Sequence, residues 1–562
     1  MPAKKLHLTS LTRCRRLKAQ LTALGSLIEQ ICDISGISGL SLGVLHEGEV
    51  THYANFGYRD VSTQTPPDED TIYVVGSLSK AFTSAIAGVL VDRGDLQWDA
   101  QIRHILPEYQ RDERDSARNA TVSDILSHRT GVLGPDGYWM LSEGEVAFQR
   151  DQFLPIFNSL PTVRPTRTAF IYNNMAYELV GQVIEKISGK TVGNFLKESI
   201  MKPLGMTRTF DTRITPGTAN VAKPYASFLN RSVCEIEMPL TREDGLFSAA
   251  GGIRTSVSDL LRFYNALMDS GMSQLDQDDQ RILGNPLKQV AALWTGMISL
   301  PFPSLREHSY AFGWARAQLP STFGLDGPQP WKAVIGKRAP CRLAIYHQGI
   351  IQGFTSFSVL IPETRSAVVV LTNSGGLNEA GMLVASAVLD TLLGDQIDEE
   401  AYKDLAQLGY EAAASRLSDI MKELKEGQQI EVPTRPLEYY VGKYYNSLKN
   451  YFIDIRKSVH GGLVISFMGR PMDTFELVPY KSDEFFWHST HDECVRRGRV
   501  TEWDIEYYRI KFKFDENGTA LKEPVLYWKY DSDYPGEGEL FRRLGTPRTI
   551  GLQQSIWEEL EL

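Results

Sequence analysis

The stretch Tyr73-Val-Val-Gly-Ser77-Leu-Ser-Lys80-Ala-Phe-Thr-Ser-Ala-Ile-Ala-Gly-Val-Leu-Val-Asp92 decides how the rest of the chain is read. It opens apolar and β-branched, turns at Gly76 and then takes helical spacing. Phe82, Ile86, Val89 and Leu90 fall on one face, which is expected to be buried. Ser77 stands at the mouth of that helix. Lys80 follows three residues later, so the two side chains share a face one turn apart. A serine hydroxyl is a weak nucleophile and needs a base within hydrogen-bond reach; a lysine serves when burial lowers its pKa. The first N–H groups of a helix are unpaired and can hold a developing oxyanion. The same residues also fit an N-cap serine followed by a surface lysine. Ser199-Ile-Met-Lys202 repeats the spacing, but it runs into Pro203 and reads as a helix end. Ser79 is adjacent to the lysine rather than a turn away.

Two further motifs follow in order. Ile171-Tyr172-Asn173-Asn174 places Tyr-x-Asn before a helix expected from Met175 to about Lys186, and His347-Gln348-Gly349 heads a hydrophobic stretch through Phe354 to Ile361. With the sequence S-x-x-K, Y-x-N, [K/H]-x-G, the chain resembles the serine β-lactamase and penicillin-binding-protein superfamily. The nearest pattern is its class C β-lactamase-like group, with esterases, D-aminopeptidases and acyltransferases. Leu126-Ser-His-Arg-Thr-Gly131, Pro203-Leu-Gly-Met206, Ala250-Gly-Gly-Ile-Arg-Thr-Ser256 and Gly353-Phe-Thr-Ser356 stand in the matching order. The resemblance spans roughly residues 30 to 395 and implies an α/β (α+β) fold. Its features would be an antiparallel sheet flanked by helices and an all-helical lobe.

By the same resemblance, Ser77 attacks a carbonyl while Lys80 and Tyr172 share the proton work; which of the two is the base is left open. A tyrosine close to a lysine ammonium is expected to have its phenol pKa lowered. Asn174 would orient the lysine or the substrate, and Asn173 or Asn174 would cap the following helix. The oxyanion hole would be the backbone N–H groups of Ser77 and Ile350, with Gly349 beside them. His347 stands where β-lactamases and peptidoglycan enzymes usually carry a lysine against the substrate carboxylate. A neutral imidazole is a weaker anion partner at pH 7. This favours an uncharged ester, thioester or amide; the alternative for His347 is a strand-edge residue without substrate contact. His128 is a further candidate base, set against a structural loop role.

Composition narrows the field. The chain has 562 residues, 42% of them hydrophobic, with a net charge of −10, which is ample for a large core and suggests more than one domain. The mildly acidic balance gives no electrostatic reason to bind nucleic acid. No apolar run reaches membrane-spanning length. The five cysteines (Cys14, Cys32, Cys234, Cys341 and Cys494) are scattered and form no C-x-x-C pair, which points to a reducing compartment. The start of the chain is basic (Lys4, Lys5, Arg13, Arg15, Arg16, Lys18), with a helical stripe at Leu17, Leu21, Leu24 and Ile28. It lacks the apolar core of a secretory signal, so a cytoplasmic protein is expected, with a mitochondrial presequence as the alternative.

Along the chain, Leu40 to His46 and Val50 to Tyr58 flank Glu47-Gly48 as a β-hairpin. Residues 133 to 170, rich in Gly, Pro and aromatics, read as a long insertion, either a lid or specificity wall of the site or a helical excursion packed for stability. Tyr310 to Trp314 is expected to be a strand, as are Leu343 to His347, Phe354 to Ile361 and Ser366 to Thr372. Leu377 to Leu393 should be a helix covering the sheet. After Pro433 and Pro436 the texture changes to seven short aromatic runs between Tyr439 and Trp528, punctuated by turns such as Asn517-Gly518. They imply a small antiparallel β-barrel resembling the lipocalin-like domain of some class C-type hydrolases. The expected division is 1–29 basic and helical, 30–395 catalytic, 396–435 connector, 436–548 lipocalin-like and 549–562 tail. His488, His491, Asp492 and Cys494 lack the remaining ligands of a known metal spacing and read as a surface loop. No cofactor or metal is expected. The implied partner is a small-molecule acyl substrate, with an acyl-carrier or thioester donor if the enzyme transfers acyl groups. Hydrolysis is the preferred reading. The alternatives are a transacylase of secondary metabolism, as in the lovastatin-type acyltransferases, a non-catalytic scaffold and, more narrowly, a D-amino-acid peptidase, which the appended β-domain supports. Oligomeric state is left open.

Overall fold

The computed structural model describes residues 14–240, 245–276, 284–429, 435–514 and 524–543. Lys4, Lys5, Arg13, Pro433, the Asn517-Gly518 turn and the 549–562 tail lie outside the described residues. Two compact units form. One holds the chain up to Glu423 together with Ser489–Asp504 and Asp533–Pro535; the other holds Leu424–His488, Ile505–Ser532 and the chain from Gly536 onward.

The first unit is built on an eight-stranded antiparallel sheet. Its strands are β1 (Gly39–His46), β2 (Glu49–Gly57), β3 (Ile298–Ser299), β4 (His308–Tyr310), β5 (Ala315–Gln318), β6 (Leu343–Ile351), β7 (Phe354–Ile361) and β8 (Ser366–Thr372). They lie in the order β2-β1-β8-β7-β6-β5-β4-β3. The first hairpin therefore pairs with the last strand, and β8 runs along the middle with every residue buried. That placement explains its unbroken β-branched run, since a strand covered on both faces has no solvent side to be polar. Tyr310 to Trp314 is not one strand: the chain turns at residues 311–314, where the Ala311 N–H bonds the Trp314 carbonyl, and starts β5.

Alternation sorts the two faces. Leu42, Val370 and Phe357 are register partners and face the cluster of α1 (Gly25–Ser35) and the C-terminal helix Ala380–Leu393. Leu21, Leu24 and Ile28 of the N-terminal stripe join that core, while Leu17 is only partly buried against it. On the opposite face lie Gly43, Val369 and Ser358, the next register row. A β-carbon at Gly43 would come within 2.2 Å of Val257, and Tyr264 bonds Ser358, so helix Val257–Asp276 covers this side.

Helix α2 (Ser79–Asp92) is buried on every side from Ser79 to Leu90, not along one face. Phe82 stacks on Phe263 at 4.2 Å, and the rest of the surface meets helix α3 (Asn174–Ser188) and the turn Ser248–Gly252. A helix enclosed all round needs apolar or small residues at every position, which Ala81, Ala85, Ala87 and Gly88 supply.

The second unit contains a closed barrel of eight antiparallel strands, β9 (Gly442–Tyr445), β10 (Phe452–Lys457), β11 (Leu463–Phe467), β12 (Thr474–Lys481), β13 (Glu484–Trp487), β14 (Arg509–Lys513), β15 (Val525–Trp528) and β16 (Glu539–Arg543). Each pairs with its chain neighbour and β16 closes on β9, the up-and-down arrangement. Aromatic rings fill the interior, among them Phe467, Trp487 and Trp528, with Trp528 Nε1 donating to the Tyr507 carbonyl. Strand β16 was not foreseen from the sequence.

Ile86 is fully enclosed in α2. Ile86→Ala should lower stability by about 2–5 kcal/mol, read as a drop in the denaturant midpoint of the first unit's unfolding transition.

Candidate active site

Ser77 lies in the single 3-10 turn Gly76–Leu78 that joins a short strand at Tyr73–Val74 to α2. Gly76 adopts φ 52°, in the left-handed region where a side chain is strained. A β-carbon there would also stand 3.0 Å from the Ile350 backbone nitrogen. Gly349 is the reciprocal case: a β-carbon would fall 2.1 Å from the Val75 carbonyl oxygen and 3.1 Å from the Ser77 nitrogen. Strand β6 and the serine turn thus approach to a distance that only two glycines permit. Ser356 Oγ on β7 fastens the contact by donating to the Val75 carbonyl at 2.8 Å. The consequence is that the amides of Ser77 and Ile350 both border the nucleophile candidate.

Lys80 is completely buried. Its Nζ lies 2.9 Å from Ser77 Oγ, 2.6 Å from Asn174 Oδ1 and 2.8 Å from the Ala250 carbonyl oxygen. Burial lowers its pKa to about 7, although the Asp136 carboxylate pulls the other way. Tyr172 Oη donates to Ser77 Oγ at 2.7 Å. Its phenol is pushed above its ordinary value, not below it. Burial is the main cause, and the lysine nitrogen sits over the ring, 4.8 Å from its centre. Desolvation thus sets a direction opposite to the one expected from the sequence.

The two asparagines divide their work. Asn173 caps α3, its Oδ1 accepting from the Ala176 N–H at 2.9 Å. Asn174 is left for the lysine. Its Nδ2 donates to Asp136 Oδ2 at 2.6 Å, which fixes the amide with its oxygen toward Lys80. Asp136 in turn accepts from Trp139 Nε1 at 3.0 Å. The Ala250 carbonyl belongs to the Ser248–Gly252 turn, which is pinned to α2 at two points. Thr83 Oγ1 donates to the Ala249 carbonyl at 2.7 Å, and the Ile253 N–H donates to Ser79 Oγ at 3.0 Å. Ser79 is therefore a brace. Ser199 and Lys202 lie in and just past the turn Lys197–Met201, the lysine exposed, as a helix end.

His347 sits on β6, an interior strand, and is buried, so it is not a strand-edge residue. Its Nδ1 lies 2.6 Å from the Gln348 carbonyl oxygen and must carry the proton; its Nε2 then accepts from Tyr310 Oη at 2.8 Å. Burial and Lys80 push its pKa down to about 3, so the ring is neutral. Both nitrogens have protein partners, and His347 is among the residues lining the cavity. His128 is also buried. Its Nδ1 accepts from the Asn173 N–H at 3.1 Å and its ring packs 4.3 Å from that of Tyr172. It braces the tyrosine and makes no contact with Ser77 in the hydrogen-bond pattern.

A cavity of about 300 Å³ opens over Ser77. Residues 133–170 contribute Asp136, Trp139 and Met140 as one wall, and Trp139 stacks on Phe247 at 3.8 Å. Another part of the lining comes from Val500, Glu502 and Trp503. These belong to residues 489–504, which lie in the chain between β13 and β14 but group with the first unit. The segment is not a surface loop. It holds a helix, His491–Arg496, capped by Thr490. His491 Nε2 donates to the Ser227 carbonyl at 3.0 Å, Asp492 accepts from the Leu229 N–H at 2.9 Å and the Glu143 N–H donates to the Arg497 carbonyl at 2.8 Å. No cluster of metal-ligating side chains occurs among the described residues, and the described cysteines are free thiols. No helix among the described residues is long and apolar enough to cross a membrane.

Sequence reading missed Asp136, the Ala250 carbonyl and the 500–503 lining. Asp136 carried a weak local signal, an acid opening a short helical turn after Pro135. The other two have none, being set by long-range packing.

An antiparallel sheet flanked by helices, a serine turn at the head of a buried helix and a lysine on its Oγ define a protein of the β-lactamase type. Residues 24–393 match the beta-lactamase family, more than half of the chain, and the chain belongs to that family of serine hydrolases. The unguisins hydrolase ungD of Aspergillus violaceofuscus is 27% identical over 433 residues, 73% of this chain and 72% of that protein. The human mitochondrial serine beta-lactamase-like protein LACTB is 22% identical, over 53% of this chain and 66% of that protein. Among solved structures, the octameric penicillin-binding protein homologue from Pyrococcus abyssi has a TM-score of 0.54 at 18% identity, covering 93% of this chain and 99% of that one. A class C beta-lactamase mutant has a TM-score of 0.51 at 21% identity, covering 67% and 98%.

The Lys80 Cε resonance, identified by its loss in Lys80→Gln, should titrate with a midpoint near 7. Asp136→Asn keeps an acceptor for Asn174 and removes the charge that holds the lysine pKa up, so the midpoint should move to lower pH. A midpoint near the ordinary value of about 10.4 would contradict the burial argument.

Proposed function

We propose that the chain hydrolyses a small-molecule ester, thioester or amide through an acyl-enzyme on Ser77, with Lys80 as the base. One observation carries this reading. Of the three partners of Lys80 Nζ, the Asn174 and Ala250 oxygens can only accept, while the Ser77 hydroxyl can donate. A neutral amine in that position spends its two hydrogens on the acceptors and points its lone pair at Ser77 Oγ. The lowered pKa makes the neutral amine accessible near pH 7.

In this mechanism Ser77 Oγ bonds the substrate carbonyl carbon and its proton passes to Lys80. The Ser77 and Ile350 N–H groups receive the oxyanion. When the tetrahedral intermediate collapses, the proton returns from Lys80 to the leaving atom. Tyr172 stands alongside as a neutral hydrogen-bond donor. Water then attacks the acyl-enzyme with Lys80 again as base. The neutral, fully engaged His347 offers no cation for a substrate carboxylate, which supports an uncharged reacting group. Water rather than another acceptor is supported by the unguisins hydrolase ungD, whose name denotes hydrolysis and which aligns over most of both chains.

Intact-protein mass after brief exposure to a short-chain nitrophenyl ester should show an acyl adduct in wild type and none in Ser77→Ala, with turnover reduced at least about 10⁴-fold and folding unchanged. Ser199→Ala should match wild type. Equal turnover in wild type and Ser77→Ala would remove the assignment.

The dependence of kcat/KM on pH follows from the sign of the Lys80 shift. The amine works unprotonated, so the rate should fall below pH about 7 and level off above it. A rising limb near pH 10 would make another group the base.

A further inference from the structure

Asn174 and Glu178 stand four residues apart on α3 and so share one of its faces, a turn apart. Asn174 reaches Lys80 directly. Glu178 reaches the backbone at the head of the turn that carries the Ala250 carbonyl. It is a buried acid, 1% exposed, that the mechanism above does not use. Its Oε2 accepts from the Phe247 N–H at 3.0 Å. Phe247 holds φ 65° and ψ 11°, in the left-handed region where a bulky side chain is strained. A conformation of that kind persists only when its surroundings hold it. From it the Phe247 carbonyl accepts from the Gly251 N–H at 2.9 Å and the Ala250 N–H at 3.2 Å, so the orientation of this residue sets the turn. Its ring stacks on Trp139 in the cavity wall. The other ties of the turn, through Asp211, Thr83 and Ser79, hold Ser248, Ala249 and Ile253 and leave the Phe247 amide to Glu178.

Resting on the hydrolase reading, we propose that Glu178 is a positioning residue for the reaction: it holds Phe247 in the left-handed conformation, and so keeps the Ala250 carbonyl on Lys80 and the Phe247 ring in the cavity wall. One face of α3 then sets two of the three oxygens around Nζ, Asn174 by contact and Ala250 through the clamp. The clamp needs an acceptor and does not need a charge. Glu178 Oε1 has no hydrogen-bond partner among the described residues, and Arg150 Nη2 lies 3.5 Å from it while bonding Glu185 at 2.6 Å. Burial pushes the Glu178 carboxyl up to about 8; Arg150 and the Phe247 N–H oppose the rise, and Glu185 and Asp211 add to it. Near pH 7 the group is therefore mainly the neutral acid, whose carbonyl oxygen accepts as that of a glutamine would.

The test is a double-mutant cycle read with nitrophenyl acetate, with kcat taken per folded molecule. Glu178→Gln keeps the acceptor and should stay within about threefold of wild type. Glu178→Met keeps the length, removes the acceptor and should lower kcat by about tenfold or more. Phe247→Gly removes the ring and lowers the baseline itself, but glycine takes the left-handed conformation without strain. In that background, adding Glu178→Met should cost no more than about threefold. An acid that only fills the core would cost the same in both backgrounds. Equal penalties in the two backgrounds, a wild-type kcat in Glu178→Met, or a Glu178→Gln as impaired as Glu178→Met overturns the inference and leaves the hydrolase reading in place. Glu178→Leu repeats the comparison if Glu178→Met fails to fold; failure of both to fold, in either background, assigns Glu178 to the fold alone and also overturns the inference. No turnover and no acyl adduct on wild type would instead remove the hydrolase reading, and this inference with it.

Discussion

A lysine amine in the protein interior is the constraint around which this structure is arranged. Taking an ammonium out of water is expensive, and the interior tolerates it only where acceptors are supplied or the charge is given up. Here both happen. Three oxygens surround Nζ, and its pKa falls to about 7. Each oxygen needs its own support. Ser77 is placed by the 3-10 turn, Asn174 by Asp136 and the Ala250 carbonyl by a turn tied to α2 through Ser79 and Thr83. Helix α2 is enclosed on all sides because its first turn must stay where those three supports converge.

The second constraint is the contact between β6 and the serine turn. It depends on Gly76 and Gly349, neither of which has room for a methyl group. The contact holds only if β6 is rigid, and β6 is an interior strand of the sheet, flanked by β5 and β7. The closing of the sheet by the first hairpin on β8, together with helices on both faces, therefore bears on the chemistry. It fixes the amide of Ile350 relative to that of Ser77, which is what the proposed oxyanion site requires.

What the sequence revealed, and what it hid, follows range of interaction. Ser77, Lys80, Tyr172 and Asn174 were legible because each pair is local or stands at a helix start, where spacing dictates which side chains share a face. The central strands were legible because burial on both faces leaves a β-branched run. The enclosed character of α2 was not, since alanine and glycine score as neutral in a periodicity argument. Strand β16 was hidden because Glu539–Arg543 is mostly polar and earns its place only by closing the barrel. The 489–504 segment misled most. Its His491, Asp492 and Cys494 suggested a loop, yet they lie in a capped helix in which His491 and Asp492 meet the backbone of residues 227 and 229. No local pattern announces a contact of that sequence separation. His347 was weighed from the sequence as a neutral imidazole or a strand-edge residue; its Tyr310 partner, which occupies Nε2, comes from a different strand and left no local signal.

The proton roles proposed for Lys80 and Tyr172 follow from one environment acting oppositely on two groups. Desolvation penalises whichever form is charged. For an amine that form is the acid, so burial favours the base; for a phenol it is the conjugate base, so burial favours the acid. The same enclosure therefore leaves Lys80 ready to accept a proton near neutrality and Tyr172 unwilling to lose one. His128 strengthens the asymmetry. It packs on the Tyr172 ring as a neutral imidazole, because burial, Lys80 and His347 together hold it well below its ordinary pKa, and so it brings no positive charge to stabilise a phenolate. Two groups share one serine oxygen, one with its pKa lowered to about 7 and the other with its pKa raised, which supports the proposed roles of base and donor. Reversing them would require a cation beside the tyrosine oxygen, and the nearest one, Lys80, sits over the ring instead.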